Sequence, residues 1–248
     1  MADGHDESVA FAGNGKMDKI TCPFCEDSKV IPFADIKFRR CEDCGLFINV
    51  AVRSKSKLRM VYKTRMLSTC RTKTPGENRI KLANKQLNVL ETYISPGIVY
   101  DVGAAAGFFM KAAIDRGWIA RGNELSEIAI KWAKDAYDID IEYGFLEELE
   151  VTENHYDAVV LWQVLEHMPN PKEVLIKTRK MLKDGGLIYL SLPNKQTADD
   201  LKKHYTPDHP FEFTEGCIEK RLEILGFQKV EKTKYVAGPP CADYLYRK

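Results

Sequence analysis

From about residue 97 onward, apolar positions alternate between short continuous runs and stripes with helical spacing. Ile98–Val102, Ile119–Glu124, Ile139–Tyr143, Ala158–Gln163, Gly186–Leu192 and Gln228–Lys232 carry the runs, which predicts strands. Phe108–Arg116, Glu127–Tyr137, Pro171–Leu182 and Glu215–Leu225 repeat apolar side chains three and four residues apart, which predicts helices. Strand and helix in alternation predict an α/β fold, a mostly parallel sheet with helices on both faces. Tyr235–Arg247 is expected to return as a final antiparallel edge strand. Upstream, Glu77–Tyr93 reads as an amphipathic helix whose Ile80, Leu82, Ala83, Leu87, Leu90 and Tyr93 cover the sheet edge, and Pro75-Gly76 reads as a break before it.

At 248 residues the chain has room for one sizeable α/β domain and a small appendage. Hydrophobic content of 44% and charged content of 29% are those of an ordinary globular protein. A net charge of +1 provides no global field for nucleic acid or membrane. No apolar run approaches the roughly 18 residues of a membrane span, and no signal-peptide core is present. Seven cysteines with two close pairs suit metal binding in a reducing compartment, so a cytoplasmic location is expected. The division predicted is a polar, unstructured tail over 1–18, a metal ribbon over 19–50, basic linker and helices over 51–96, and the α/β core over 97–248.

The ribbon rests on Cys22-Pro23-Phe24-Cys25 and Cys41-Glu42-Asp43-Cys44-Gly45, separated by fifteen residues. Two Cys-x-x-Cys knuckles at that distance predict a four-thiolate zinc site at Cys22, Cys25, Cys41 and Cys44. Lys29–Pro32 and Lys37–Arg40, the short strands between the knuckles, are too poor in apolar residues to fold unaided, so metal would supply folding energy. Four thiolates close the coordination shell, which makes the site structural. Cys70, Cys217 and Cys241 lack partner spacing and are expected to be dispensable for it. Ala51–Lys85 then holds eleven Lys or Arg against one acid, Glu77, an excess of +10 that leaves −9 for the rest. Such a run is either a solvated helix face or a contact for a polyanion.

Tyr100-Asp101-Val102-Gly103-Ala104-Ala105-Ala106-Gly107-Phe108-Phe109 joins the first core strand to its helix through small residues. Gly103 and Gly107 allow backbone to approach a ligand, and the following helix start offers unpaired N–H groups. A dinucleotide fingerprint would need glycines at 105 and 108, where Ala105 and Phe108 stand, so NAD is disfavoured. Asp101 at the strand end suits a cationic cofactor. Glu124 closes the next strand, 23 residues later, where an acid accepts ribose hydroxyls in folds of this kind. Asp157–His167 supplies a buried strand that ends in polar residues at the crevice, among them Gln163, Glu166 and His167. A second polar cluster, His204–Thr214, precedes the last helix and contains His209.

These residues resemble motif I and its partners in the class I methyltransferases that use S-adenosylmethionine (SAM). The likeness extends to a subgroup with an amino-terminal zinc ribbon, through Arg40–Leu46, Gly117-Trp118, Asn123–Ser126, Gly144–Glu148, Val164–His167, Leu190–Asn194, Pro207–His209 and Phe213-Thr214. It implies a Rossmann-like sheet, SAM as methyl donor with S-adenosylhomocysteine as product, and structural zinc. Cofactor contacts are then expected from Asp101, Gly103, Ala105, Gly107, Glu124, Leu125, Phe145 and Gln163. Two positions depart from the pattern: Ala105 replaces a glycine, and Phe145 replaces an acid or amide near the adenine. The subgroup is associated with sugars, polysaccharide precursors and other small metabolites, so a small-molecule acceptor is expected. His167 and His209 are the candidate bases, with Glu166 or Asp208 to orient them. An RNA methyltransferase gripping its substrate through ribbon and basic segment is the alternative, and a SAM-binding module without turnover a third.

Overall fold

The computed structural model describes residues 20–26, 28–33, 37–50, 55–65, 73–195, 197–206, 208–231 and 241–248; the tail predicted to be unstructured and Cys70 lie outside them. Strands β1 (Val30–Pro32), β2 (Phe38–Cys41) and β3 (Phe47–Asn49) pair antiparallel. Helices α1 (Lys55–Arg65) and α2 (Lys73–Leu90) follow. The expected break at Pro75-Gly76 does not occur, because Pro75 falls in the first turn of α2, where an amide N–H has no intrahelical partner to lose. Gly76 is buried there, and an added Cβ would lie 3.2 Å from the Phe108 ring.

The alternating region forms β4 (Ile98–Val102), α3 (Phe108–Asp115), β5 (Ile119–Glu124), α4 (Glu127–Tyr137), β6 (Glu142–Tyr143), β7 (Tyr156–Trp162) and α5 (Pro171–Met181). It continues with β8 (Leu182–Pro193), α6 (Ala198–Lys203), β9 (Phe211–Glu212), α7 (Glu215–Ile224), β10 (Gln228–Glu231) and β11 (Cys241–Arg247). Seven strands lie in the order β10-β11-β8-β7-β4-β5-β6, as a Rossmann-like sheet. The ladders from β8 to β6 are parallel, and β11 runs antiparallel to both of its neighbours. β11 is therefore not the edge strand expected; buried from Ala242 to Tyr246, it lies between β8 and β10. β6 is shorter than Ile139–Tyr143, because the chain leaves α4 through Asp138 in a left-handed conformation and joins the ladder only at Glu142.

Alternate residues of β7 divide the apolar core in two. Val159 and Leu161 pack on one face with α5 and α7 side chains, and Ala158 and Val160 on the other with those of α2 and α3. Cys22, Cys41 and Cys44 belong to the first of these cores, so the ribbon packs on that face. The segment before α7, expected as a loop, supplies β9, which pairs with β3 and extends the ribbon sheet to β1-β2-β3-β9. No helix among the described residues is long and apolar enough to cross a membrane.

The carboxyl rim of the large sheet carries buried acids. Glu166, in the 3₁₀ turn Leu165–His167 after β7, is fully buried, and neither carboxylate oxygen has a partner among the described residues. Burial pushes its carboxyl up to about 8; the Glu212 charge adds to this and Lys195 opposes it. Between the unfolded value near 4.3 and the folded one, only the folded chain holds this proton, so raising the pH favours unfolding by up to about 1.4 kcal/mol per unit. Glu166→Gln should therefore melt like the wild type near pH 4 and increasingly above it as pH rises to about 8. Parallel thermal melts of the two proteins across that range measure the difference, and a pH-independent gap would refute the assignment.

Candidate active site

The turn after β4 is built on left-handed backbone. Gly103, Ala105 and Gly107 have φ of 68°, 51° and 72°. Only Ala105 bears a Cβ, which costs about 1–2 kcal/mol in this region. Its amide donates to Glu124 Oε2 at 2.8 Å, while Glu124 Oε1 accepts from the amides of Leu125 (2.7 Å) and Ser126 (2.9 Å). One carboxylate thus gathers three N–H donors from two loops. Gly103 serves another purpose, since a Cβ there would lie 2.8 Å from the Val164 side chain.

Above this turn lies a cavity of about 430 Å³. Of the residues predicted to hold the cofactor, Gly103, Ala105, Glu124, Leu125, Phe145 and Gln163 line it. Asp101 and Gly107 do not. Asp101 is buried beneath the turn, where burial, then the Glu124 charge, raises its carboxyl well above the usual range. Gly107 caps α3, and a Cβ there would come within 3.2 Å of Ala133 in α4, so it serves helix packing. Gln163 is also left-handed, with φ of 56°, held by its amide to the Ser191 carbonyl at 2.9 Å and by its side chain to Ser191 Oγ at 3.3 Å. A strained non-glycine backbone at a cavity wall is common at functional sites.

His167 lines the cavity, and its Nδ1 lies 3.3 Å from the Asp208 carbonyl oxygen. A carbonyl only accepts, so Nδ1 carries the proton and Nε2 of the neutral ring remains an acceptor. His209 does not line the cavity. It is buried behind His167, with ring centroids 4.4 Å apart and planes at 86°, and its Nδ1 lies 2.9 Å from Glu212 Oε1. The buried Lys195 donates to the same oxygen at 2.6 Å.

The basic segment contributes residues that its charge pattern did not reveal. Tyr62 of α1 and Arg79 of α2 line the cavity, and among the described residues Arg79 is the one Lys or Arg doing so. Tyr62 meets His167 edge-on at 5.5 Å. Lys55 and Arg59 lie over the Phe145 ring at 5.2 and 5.1 Å and pair with Glu148, Lys55 at 2.6 Å. Burial by itself would raise Glu148, but these two cations hold it below the usual range. The signal in the sequence was Met60-Val61-Tyr62 between cations spaced four apart, set against an acidic remainder.

The four ribbon sulfurs, Cys22, Cys25, Cys41 and Cys44, all lie within 4.8 Å of one another and none forms a disulfide. The knuckle turns are closed by Glu26 N–H to the Cys22 carbonyl (3.1 Å) and Gly45 N–H to the Cys41 carbonyl (2.9 Å). Cys217 of α7 is outside this cluster but buried in the same apolar core as Cys22, Cys41 and Cys44. Arg221, one turn later, donates to Cys25 Sγ at 3.1 Å.

A family profile described as a methyltransferase domain matches residues 76–232. The ubiquinone biosynthesis O-methyltransferase of Dechloromonas aromatica is 33% identical over 103 residues, 39% of this chain and 44% of that protein. Its counterpart in Idiomarina loihiensis is 32% identical over 117 residues, 45% of this chain and 48% of that protein. The chain spans about half the length of the curated relatives it matches. Among solved structures, the magnesium protoporphyrin IX methyltransferase of Synechocystis PCC 6803 with bound SAH aligns with a TM-score of 0.58 at 18% identity, covering 79% of this chain and all 100% of that one. A SAM-dependent methyltransferase from Archaeoglobus fulgidus aligns at 0.57 and 18%, covering 68% and 94%. Identities this low carry the fold, and the family profile carries the membership: the chain belongs to the class I, SAM-dependent methyltransferases.

Proposed function

We propose that the protein methylates a hydroxyl of a small, sugar-like or otherwise hydroxylated metabolite, with His167 as the base. The observation that carries this is the cavity-lining imidazole whose Nδ1 proton goes to the Asp208 carbonyl, which makes Nε2 the basic nitrogen of the ring. Bound SAM supplies a methyl group on a sulfonium, a strong electrophile. His167 Nε2 accepts the acceptor's hydroxyl proton as the oxygen takes that methyl, and releases it afterwards to solvent. Glu124, already fixed by three N–H donors, accepts from ribose. Phe145 offers an apolar face to adenine, and Arg79 suits the carboxylate of the methionine moiety. The curated relatives bear the name O-methyltransferase, which supports a hydroxyl acceptor. RNA is the weaker reading, because Lys55, Arg59 and Lys63 are engaged by Glu148 and Glu127 of the core.

The four thiolates suit zinc, whose tetrahedral shell they would complete, with Arg221 offsetting part of the anionic charge. This ion would supply folding energy and no chemistry at the methyl.

Three measurements test these readings. Glu124→Ala removes a charged acceptor whose hydrogen bonds are each worth about 1.5–3 kcal/mol, so calorimetry should show S-adenosylhomocysteine bound at least about tenfold more weakly; unchanged affinity would exclude the ribose role. Elemental analysis should find one zinc per chain, lost together with cooperative unfolding when Cys41 and Cys44 are both changed to serine. Finally, a screen with radiolabelled SAM against small-molecule and RNA fractions should label a small hydroxylated acceptor. On it, His167→Ala should lose about 10²–10⁴-fold in kcat with cofactor affinity kept. Wild-type turnover in that variant would remove His167 as base.

A further inference from the structure

Behind His167 lies a buried polar assembly that the transfer reaction does not touch directly. Lys195 and Glu212 have side chains 4% and 0% exposed and form an ion pair at 2.6 Å. Taking two such charges out of water costs more than a packed apolar pair of similar size, so the pair needs a reason beyond stability. Its geometry provides one. Glu212 Oε1 accepts from Lys195 Nζ and also faces His209 Nδ1 at 2.9 Å, and Lys195 Nζ donates in addition to the His204 carbonyl at 2.6 Å. A carboxylate acceptor at Nδ1 selects the neutral tautomer of His209 protonated there. The His209 ring then stands against His167, which is itself fastened to the Asp208 carbonyl. Both histidines are thus held by one short segment, Asp208 to Glu212.

That segment is in turn held by the ribbon. Glu212 pairs with Phe47 of β3 and Phe211 with Ile48. Asn49, 2% exposed, donates its side-chain amide to the His209 carbonyl at 3.2 Å and its backbone amide to the Pro210 carbonyl at 2.9 Å. We propose that Glu212 is a positioning residue which, anchored by Lys195 and by ribbon strand β3, orients His209 and through it His167, so that the ribbon organises the acceptor side of the site. This rests on reading His167 as the base, but its primary readout does not depend on activity.

The test compares the full-length wild type with Lys195→Met/Glu212→Leu, in which an apolar pair of similar volume replaces the ion pair, so that neither partner is left as an unpaired buried charge. The proteins are labelled with ¹⁵N-histidine and saturated with S-adenosylhomocysteine, and long-range ¹H–¹⁵N correlations report each imidazole tautomer in mildly alkaline buffer. The chain's five histidines keep the spectrum assignable by single His→Asn changes. The wild type should show His209 protonated at Nδ1. In the double variant His209 should redistribute between tautomers, with S-adenosylhomocysteine affinity within about twofold of wild type. Turnover of the acceptor found by the screen should then fall on the order of 10²-fold in kcat, as expected for a misplaced base. Unchanged tautomers, or a kcat loss that merely follows lost cofactor affinity, would overturn the proposal by reducing Glu212 to a structural role. Asn49→Ala provides a second line if the double variant does not fold: it should broaden the His167 and His209 ring signals, and sharp wild-type signals would likewise overturn the proposal. Retained activity in His167→Ala beside a shifted His209 tautomer would instead locate the failure in the choice of base.

Discussion

The turn after β4 depends on a single carboxylate. Glu124 sits where β5 ends and collects amides from the turn after β4 and from the start of its own following loop. Charge-assisted bonds to N–H donors are stronger than neutral ones, and here they cross between two loops that no ladder joins. They fix Ala105 in a conformation that alanine dislikes and close the rim around the cavity. Glu124 lines the cavity as well, so the residue that shapes the turn is also part of the cavity wall. Asp101, one strand over, sits deeper, and burial, with the Glu124 charge adding to it, raises its carboxyl above the usual range.

A second constraint is the placement of α1. Its cations are drawn to Glu147, Glu148 and Glu127, and Lys55 and Arg59 also cover the Phe145 ring. Partly exposed pairs of this kind contribute little stability each. Their value lies in register: they bring Tyr62 over His167 and make the helix one wall of the cavity. Of the excess of +10 in that segment, Lys55, Arg59 and Lys63 are paired with acids of the remainder.

Periodicity made most of the large sheet legible, because its strands are buried on both faces and its helices on one, and each pattern has its own spacing. Where it failed, something other than burial decided. Pro75 sits inside a helix because position in the first turn overrides propensity. β6 is short because Asp138 sets the exit from α4. β11 reads as an edge strand only if β10 is assumed to lie inside it, an order that pairing alone determines. The turn residues of the site were legible because they are close in sequence and need small or acidic side chains. Tyr62, Arg79, Lys195 and Glu212 were not, because they reach the site from four separate elements or loops and each is an ordinary residue type in its own segment.

The two sides of the site are built on different principles, and this explains why the ribbon and the core share one hydrophobic face. The cavity-lining turns after β4, β5 and β7 sit on the ends of parallel strands, whose positions are fixed by ladders on either side, so strain at Ala105 and Gln163 can be held locally by Glu124 and Ser191. His167 follows β7 directly, but the residues behind it have no such support from the large sheet. His209 and Glu212 lie in a segment that spans from β8 to α7 without entering it, and they borrow a second sheet, β1-β2-β3-β9, for their backbone. The sulfur cluster beside that sheet is reached from α7 by Arg221, which donates to Cys25 Sγ. Cysteine cluster, ribbon strand and α7 therefore bracket the histidine segment at both ends.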